Sequence, residues 1–114
     1  MEKQITKTSE LNWKPLIEEG VNTDGIFYKV LCFDETTNRP KTFLLKFEAG
    51  ASYPNHLHPG GEEIFVLEGE VRSAKDELKT GDYLYMPPQS THSVFSKNGC
   101  TLLFIVPEEV VILN

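Results

Sequence analysis

Short runs of apolar residues, separated by turn residues, dominate this chain and predict an all-β protein. Apolar residues that alternate with polar ones indicate strands, because successive side chains of a strand face opposite sides. Such runs, together with short continuous apolar stretches, predict strands at residues 26–33, 42–47, 64–71, 83–86, 91–95, 101–106 and 110–113. Seven or eight strands in about a hundred residues are typical of a sandwich or a small barrel.

The segments between these runs are rich in glycine, proline and asparagine. Asn98-Gly99 is the sharpest turn signal, because both residues tolerate positive φ and suit a type I′ turn. We expect this turn to join the strands that contain Val94 and Leu102 in a hairpin. A helix is expected at most over residues 11–19, and the proline inside that segment would keep it short.

Three apolar runs lack alternation, at residues 43–45, 64–67 and 102–106. A strand with one face in water should alternate, so continuous runs predict that both faces are covered. A small barrel has little chain of its own for its outer face, and a homodimer packed sheet on sheet would cover it. The alternative is that the N-terminal residues up to Trp13 and the C-terminal tail cover these faces instead.

Composition and charge narrow the class of protein. The 114 residues are 39% hydrophobic and 25% charged, which fits one compact domain and argues against disorder. A net charge of -6 without any basic stretch disfavours a nucleic-acid partner. The N-terminus has no apolar signal region and no apolar run has the length of a membrane span, so we expect a cytoplasmic protein without a membrane partner. Cys32 and Cys100 are isolated in apolar runs, and we interpret them as buried reduced thiols.

The three histidines of the chain fall into one pattern, which predicts a metal site. His56 and His58 are two residues apart, so both imidazoles face the same side of a strand. Glu62 follows a Pro-Gly-Gly bend, and His92 arrives on a later strand. Three imidazoles and one carboxylate suit one divalent transition ion such as Zn, Fe, Mn or Ni, whereas Ca and Mg prefer oxygen ligands. Glu63 is a competing carboxylate, because only one of two adjacent strand residues can point inward.

Two spaced motifs resemble those of the cupin superfamily. The first motif contains Gly50, His56, His58, Glu62 and Gly69, and the second contains Gly81, Pro87 and His92. Residues 58–70 and 87–92 are especially similar to the cupin domain of the ChrR anti-sigma factors. The chain departs from the usual pattern at Gln89, where a glycine is common, and at Ser96, where an asparagine is common.

The resemblance implies a double-stranded β-helix, the jelly-roll barrel of the cupins, as a single domain. It places the barrel core at about residues 26–113 and leaves residues 1–25 as an N-terminal strand or arm. It also implies that the three histidines and one glutamate bind the metal. The spacing to Gly69 in the first motif favours Glu62 over Glu63 as that glutamate.

Several side chains are candidates for a substrate cavity beside the metal. Aromatic residues that could line its wall are Phe65, Tyr83, Tyr85, Phe95 and Phe104. Tyr53, three residues before His56, is the candidate catalytic residue, because a phenol near a metal can donate a proton. Tyr85 and Cys32 are further acid or base candidates, since every histidine is committed to the metal.

These features support two functions. The first is a metal-dependent, dioxygenase-like enzyme that acts on a small organic molecule, because four protein ligands leave an octahedral ion open positions for substrate and dioxygen. The second is a small-molecule or redox sensor without catalysis, as the similarity to ChrR implies. Sigma-factor binding is not implied, because no matching set of histidines and cysteines precedes residue 42.

Overall fold

The structure is a computed structural model, and it describes residues 2–113. These residues form ten strands, all paired antiparallel, and one short 3-10 helix at Thr8–Glu10. The all-β prediction is therefore confirmed. The strands are β1 (Lys14–Pro15), β2 (Ile26–Asp34), β3 (Arg39–Phe47), β4 (Ser52–His58), β5 (Glu62–Ser73), β6 (Asp76–Lys79), β7 (Tyr83–Met86), β8 (Ser90–Phe95), β9 (Cys100–Ile105) and β10 (Val111–Ile112).

The strands form one curled antiparallel sheet in the order β1-β2-β3-β9-β5-β8-β4-β10, with β6 and β7 also paired to β5. The long strand β5 belongs to both halves of this sheet. Its N-terminal half pairs with β9 and β7, and its C-terminal half pairs with β6 and β8. This topology is the jelly-roll barrel that the sequence predicts.

The N-terminal segment is extended, so the helix considered for residues 11–19 is wrong. Proline has no N–H and disrupts a helix interior, whereas Pro15 is tolerated in β1, which pairs with the edge of β2. The Leu16 N–H donates to the Ile26 carbonyl oxygen at 2.9 Å and continues this extended pairing. No helix in residues 2–113 is long and apolar enough to cross a membrane.

The strand β5 bends at a position that requires glycine. Its pairing register with β9 shifts between Val66 and Glu68, and Gly69 follows with φ +80°. A Cβ at Gly69 would lie 2.3 Å from the carbonyl oxygen of Gly99, which is shorter than any tolerated contact. Glycine therefore lets β5 pass from one half of the barrel to the other.

The Asn98-Gly99 turn does not close a hairpin, so that prediction is wrong. The strand β8 pairs with β4 and β5, whereas β9 pairs with β3 and β5. Gly99 has φ +98°, but Asn98 is not among the residues with positive φ. The buried Ser96 hydroxyl shapes the turn, because it accepts from the Gly99 N–H at 3.0 Å and donates to the Glu70 carbonyl at 2.7 Å. The segment thus carries the chain between the two halves of the barrel.

The non-alternating runs supply both faces of the sheet. Along β9, Leu102 and Phe104 are buried inside the barrel, and the residues that alternate with them are half-buried on the outer face. Ile64 and Val66 of β5 are likewise buried inside. Alternate residues of each run therefore build the core, and the residues between them form an apolar outer face.

The N-terminal arm covers that outer face over β2 and β3. The ammonium groups of Lys29 and Lys46 lie 4.6 Å and 5.1 Å from the centre of the Trp13 ring. Lys29 also donates to the Thr8 carbonyl at 3.0 Å, and Leu44 between these lysines is only 8% exposed. At this end of the sheet the cover comes from residues up to Trp13, which is part of the alternative to a dimer that the sequence leaves open.

The outer face over β5 and β7 is left open by the described part of the chain. Phe65 and Leu67 are 38% and 43% exposed, and Tyr83 and Tyr85 are 54% and 55% exposed. Cross-strand pairing places Phe65 directly beside Tyr83. These side chains form an exposed apolar surface, here called the β5–β7 face.

Candidate metal centre

Three strands bring the four predicted metal ligands together inside the barrel. His56 and His58 share one face of β4, and the register of β4 with β8 places His92 directly opposite His56. Glu62 is the first residue of β5, in the other half of the sheet, and it faces the histidines from there. All four side chains are buried, with exposures of 0–3%.

The ligand atoms converge on one point. One atom from each of the four side chains lies within 4.8 Å of the others. The Nε2 atoms of His58 and His92 lie 3.2 Å and 3.1 Å from the two carboxylate oxygens of Glu62. The three imidazole centroids are 4.6–4.8 Å apart. This cluster has the size and composition to hold one metal ion.

The outward nitrogen of each imidazole has a partner that orients the ring. His56 Nδ1 donates to the Pro54 carbonyl at 2.8 Å, so this nitrogen carries the proton and Nε2 keeps its lone pair. His92 Nδ1 lies 2.6 Å from the Ser73 hydroxyl. His58 Nδ1 lies 3.3 Å from the Ser90 hydroxyl. These partners could not be predicted from the sequence, because a serine on a strand carries no signal of which ring it will face.

The side chains fit a divalent transition ion. His58 Nε2 is buried, and its 3.2 Å contact with Glu62 Oε2 does not have hydrogen-bond geometry, so this polar atom still needs a partner. Burial lowers the pKa of His56 to about 4, so this imidazole is neutral and free to coordinate at neutral pH. Burial alone would raise the pKa of Glu62, but His58 and His92 stabilise its ionised form and hold that pKa below its usual value. Neutral imidazoles and one carboxylate are the donors that such an ion prefers.

The two competing glutamates face opposite sides of β5. Glu62 points into the cluster, whereas Glu63 lies on the outside and accepts a hydrogen bond from the Tyr83 hydroxyl at 2.6 Å. The alternation of side chains along a strand produces this separation.

A cavity of about 830 Å³ opens onto the metal cluster. His56 and Glu62 form part of its wall, and much of the remaining wall is apolar, including Phe43 and Phe104. A second, more open groove of about 840 Å³, lined by residues such as Glu68 of β5 and Asn98, contains none of the four cluster residues. The first cavity is therefore the candidate substrate site.

The structure brings only one of the five aromatic wall candidates into this cavity. Phe104 lines it, whereas Phe65, Tyr83 and Tyr85 lie on the β5–β7 face, on the opposite side of the sheet from Glu62. Phe95 lies outside as well, under the guanidinium of Arg72, because its neighbour Val94 takes the inward position on β8. The apolar pattern could not separate inward from outward aromatic residues, since both belong to continuous runs.

Tyr53 lies beside the cluster, but its hydroxyl is engaged elsewhere. Its ring packs edge-on against His56, with centroids 5.0 Å apart, and it lines the cavity. The phenol donates to Glu18 Oε1 at 2.5 Å. Burial and this carboxylate raise the pKa of Tyr53, so the phenol keeps its proton at neutral pH. Of the other acid or base candidates, Tyr85 is on the outer face, and Cys32 is a free thiol away from the cavity wall.

An antiparallel jelly-roll barrel with a three-histidine, one-glutamate cluster inside it defines the cupin class. The chain matches the ChrR Cupin-like domain family over residues 1–108, and it belongs to that family. The structure thus confirms the fold that the two sequence motifs imply.

The chain is also similar, in sequence or in structure, to individual proteins of known structure or activity. The chain is 26% identical over 99 residues to the acetylacetone-cleaving enzyme of Acinetobacter johnsonii, a match that covers 87% of this chain and 63% of the length of that enzyme. The crystal structure of an acetylacetone dioxygenase from the same species superposes with a TM-score of 0.87 at 18% identity, over all of this chain and 80% of that one. The complex of Rhodobacter sphaeroides SigE with the anti-sigma ChrR matches with a TM-score of 0.66 at 21% identity, over 88% of this chain and 50% of that one. At these identities the structural matches establish the fold.

Proposed function

We propose that this protein is a metal-dependent, dioxygenase-like enzyme that acts on a small organic molecule. The observation that carries the proposal is the opening of a buried four-ligand cluster onto a cavity of about 830 Å³. A purely structural metal site is closed, whereas a catalytic site leaves a side of the metal accessible to substrate. The similarity to an acetylacetone-cleaving enzyme supports the same chemistry.

In this proposal His56, His58, Glu62 and His92 hold one divalent transition ion. A redox-active ion would supply the activation of dioxygen and of an oxygen-chelating substrate. The apolar wall around Phe104 would exclude water from the reacting groups.

We propose that Tyr53 takes part in catalysis by positioning a proton beside the cluster rather than by giving up its own. It retains its proton at neutral pH, and Glu18 holds its hydroxyl in one orientation. Tyr53→Phe should therefore lower turnover and leave metal occupancy unchanged, which separates this role from metal binding.

We also propose that the β5–β7 face packs against a second copy of the chain. Its four large side chains are 38–55% exposed, and a cluster of this kind commonly marks an interface. The N-terminal arm lies over β2 and β3, so the β5–β7 face has no cover within the described chain. Sedimentation of the wild type and of Tyr85→Lys tests this, and a monomeric wild type would exclude the dimer.

The experiment that tests the main proposal is metal analysis of protein purified without oxygen, followed by measurement of oxygen consumption. We expect about one iron or other transition ion per chain. Acetylacetone and other β-diketones are the first substrates to screen, followed by flavonols, catechols and thiols. His92→Ala should lose most of the metal, whereas Glu63→Gln, on the outer side of β5 next to Glu62, should retain it. Folded wild-type protein without metal affinity would contradict the proposal.

Membership of the ChrR Cupin-like domain family favours a second candidate, a small-molecule or redox sensor. A sensor would bind its ligand beside the metal without turnover. Zinc in the purified protein, together with ligand binding and no oxygen consumption, would favour the sensor over the enzyme.

A further inference from the structure

The cavity beside the metal cluster contains one cationic side chain. Arg39, the first residue of β3, is half-buried and lines the cavity together with His56 and Glu62. The other charged residues of the wall are acidic, Glu18 and Glu109 among them. A guanidinium in this position is available to an anionic group of a substrate that is bound at the metal.

No carboxylate neutralises Arg39. Asp34 is its directly opposite residue on β2, but the Asp34 carboxylate accepts from the Thr36 N–H and the Thr37 hydroxyl, each at 3.0 Å. Within residues 2–113, no carboxylate oxygen lies within 4.0 Å of a guanidinium or ammonium nitrogen. A half-buried charge is costly without a partner, so Arg39 lacks the group that its position calls for.

One contact orients the guanidinium and leaves most of its donors free. Arg39 Nη1 donates to the Val106 carbonyl at 2.5 Å. Arginine has five N–H donors in a planar fork, and the remaining ones can bind a carboxylate with two parallel hydrogen bonds. The acidic residues of the wall do not compete for it, because Glu18 accepts from Tyr53 and Glu109 is exposed.

We infer that Arg39 binds a carboxylate of the substrate. The substrate class is a small β-dicarbonyl acid, whose two carbonyl oxygens face the metal cluster while its carboxylate reaches Arg39. This inference rests on the proposed function, because it requires that the cluster holds a metal and that the cavity accepts the substrate. It makes Arg39 a specificity-determining residue.

Three probes of similar shape test the inference. Acetylacetone is neutral, 3,5-dioxohexanoate is the same dicarbonyl with a carboxylate on one end, and its methyl ester restores neutrality at the same length. Binding of each probe to metal-loaded protein is measured by calorimetry. We expect the wild type to bind 3,5-dioxohexanoate about 10- to 100-fold more tightly than the ester, as charge-assisted hydrogen bonds allow.

Variants of the two arginines show which group is responsible. Arg39→Gln should abolish the preference for the acid and leave the affinities for acetylacetone and the ester unchanged. Arg39→Lys should keep part of the preference, because it retains the charge without the planar fork. Arg72→Gln is the matched control, since Arg72 lies over Phe95 outside the cavity. Thermal unfolding of each variant reports any loss of the Val106 contact.

The outcomes separate this inference from the proposed function. Acetylacetone binding without a preference for the acid, or an equal loss of all probes in Arg39→Gln, would overturn the inference and leave the metal-dependent enzyme intact. In the second case Arg39 only braces the end of β9. Failure of metal-loaded wild type to bind any of the three probes would overturn the inference alone, whereas folded wild type without metal affinity would overturn both.

Discussion

Ser73 should control how tightly the cluster binds metal, although it is not itself a ligand. Its hydroxyl lies 2.6 Å from His92 Nδ1, and its side chain is buried inside the barrel at 4% exposure. Ser73→Ala removes this contact and leaves Nδ1 without a partner. The imidazole then loses the interaction that fixes its orientation and tautomer.

The expected loss of metal affinity can be judged by comparing the Ser73–His92 contact with the contact between Ser90 and His58. Loss of a hydrogen-bond partner behind a metal-binding histidine lowers metal affinity by about 10- to 100-fold. The Ser90 hydroxyl is 3.3 Å from His58 Nδ1, at the weak end of hydrogen-bond lengths. Ser90→Ala should therefore cost less than Ser73→Ala. In metal-free protein, the unpaired His92 nitrogen should lower the free energy of unfolding by about 1–3 kcal/mol.

The measurement is competition for Zn²⁺ or Ni²⁺ between each variant and a coloured chelator at fixed pH. Circular dichroism of both variants checks that the barrel is retained. Wild-type affinity in Ser73→Ala, or a larger loss in Ser90→Ala, would refute the view that these hydroxyls orient the ligands according to their distance.

Two further predictions concern stability. Gln89 is exposed and has φ +72°. A left-handed backbone conformation costs a non-glycine residue about 1–2 kcal/mol, and replacement by glycine removes this cost. The larger conformational entropy of glycine in the unfolded chain offsets about 0.4–1 kcal/mol of that gain. Chemical denaturation should thus give Gln89→Gly a free energy of unfolding about 0.5–1 kcal/mol higher than that of the wild type. Gln89→Ala is the control and should not be stabilised. A loss of stability in Gln89→Gly would contradict the explanation. Burial lowers the pKa of His56 from 6.5 to about 4 in the folded protein. As the pH falls, His56 is therefore protonated in the unfolded chain before it is protonated in the folded one. The free energy of unfolding of the metal-free protein should therefore fall by on the order of 3 kcal/mol as the pH falls from 6.5 to 4. His56→Gln should flatten this part of the plot of stability against pH. A flat wild-type profile would show that the pKa of His56 is not lowered.

Residue pattern alone was sufficient for most of the strands and for bringing the three histidines together, whereas the spaced motifs were needed to choose Glu62 over Glu63. Two histidines at positions i and i+2 must share a face of any strand, and the bend before Glu62 returns the chain towards them. The spaced motifs then implied the barrel, which the structure confirms. The apolar runs did not indicate β1, β4 or β6. The strand β4 was expected only from its pair of histidines, and the mostly polar β1 and β6 form only by pairing with β2 and β5.

Only the tertiary structure decided which face of each strand lies inside and what each polar side chain contacts. Phe65 and Phe104 occur in similar apolar runs, yet one lies on the outer face and the other lines the cavity. Ser73 and Arg39 carry no local signal of their contacts with His92 and Val106, because these partners are distant in sequence. Local alternation is a property of neighbouring residues, whereas the partner of a side chain depends on how the whole sheet curls. The cluster of four side chains able to hold a metal could therefore be predicted from the sequence, but the groups that surround it could not.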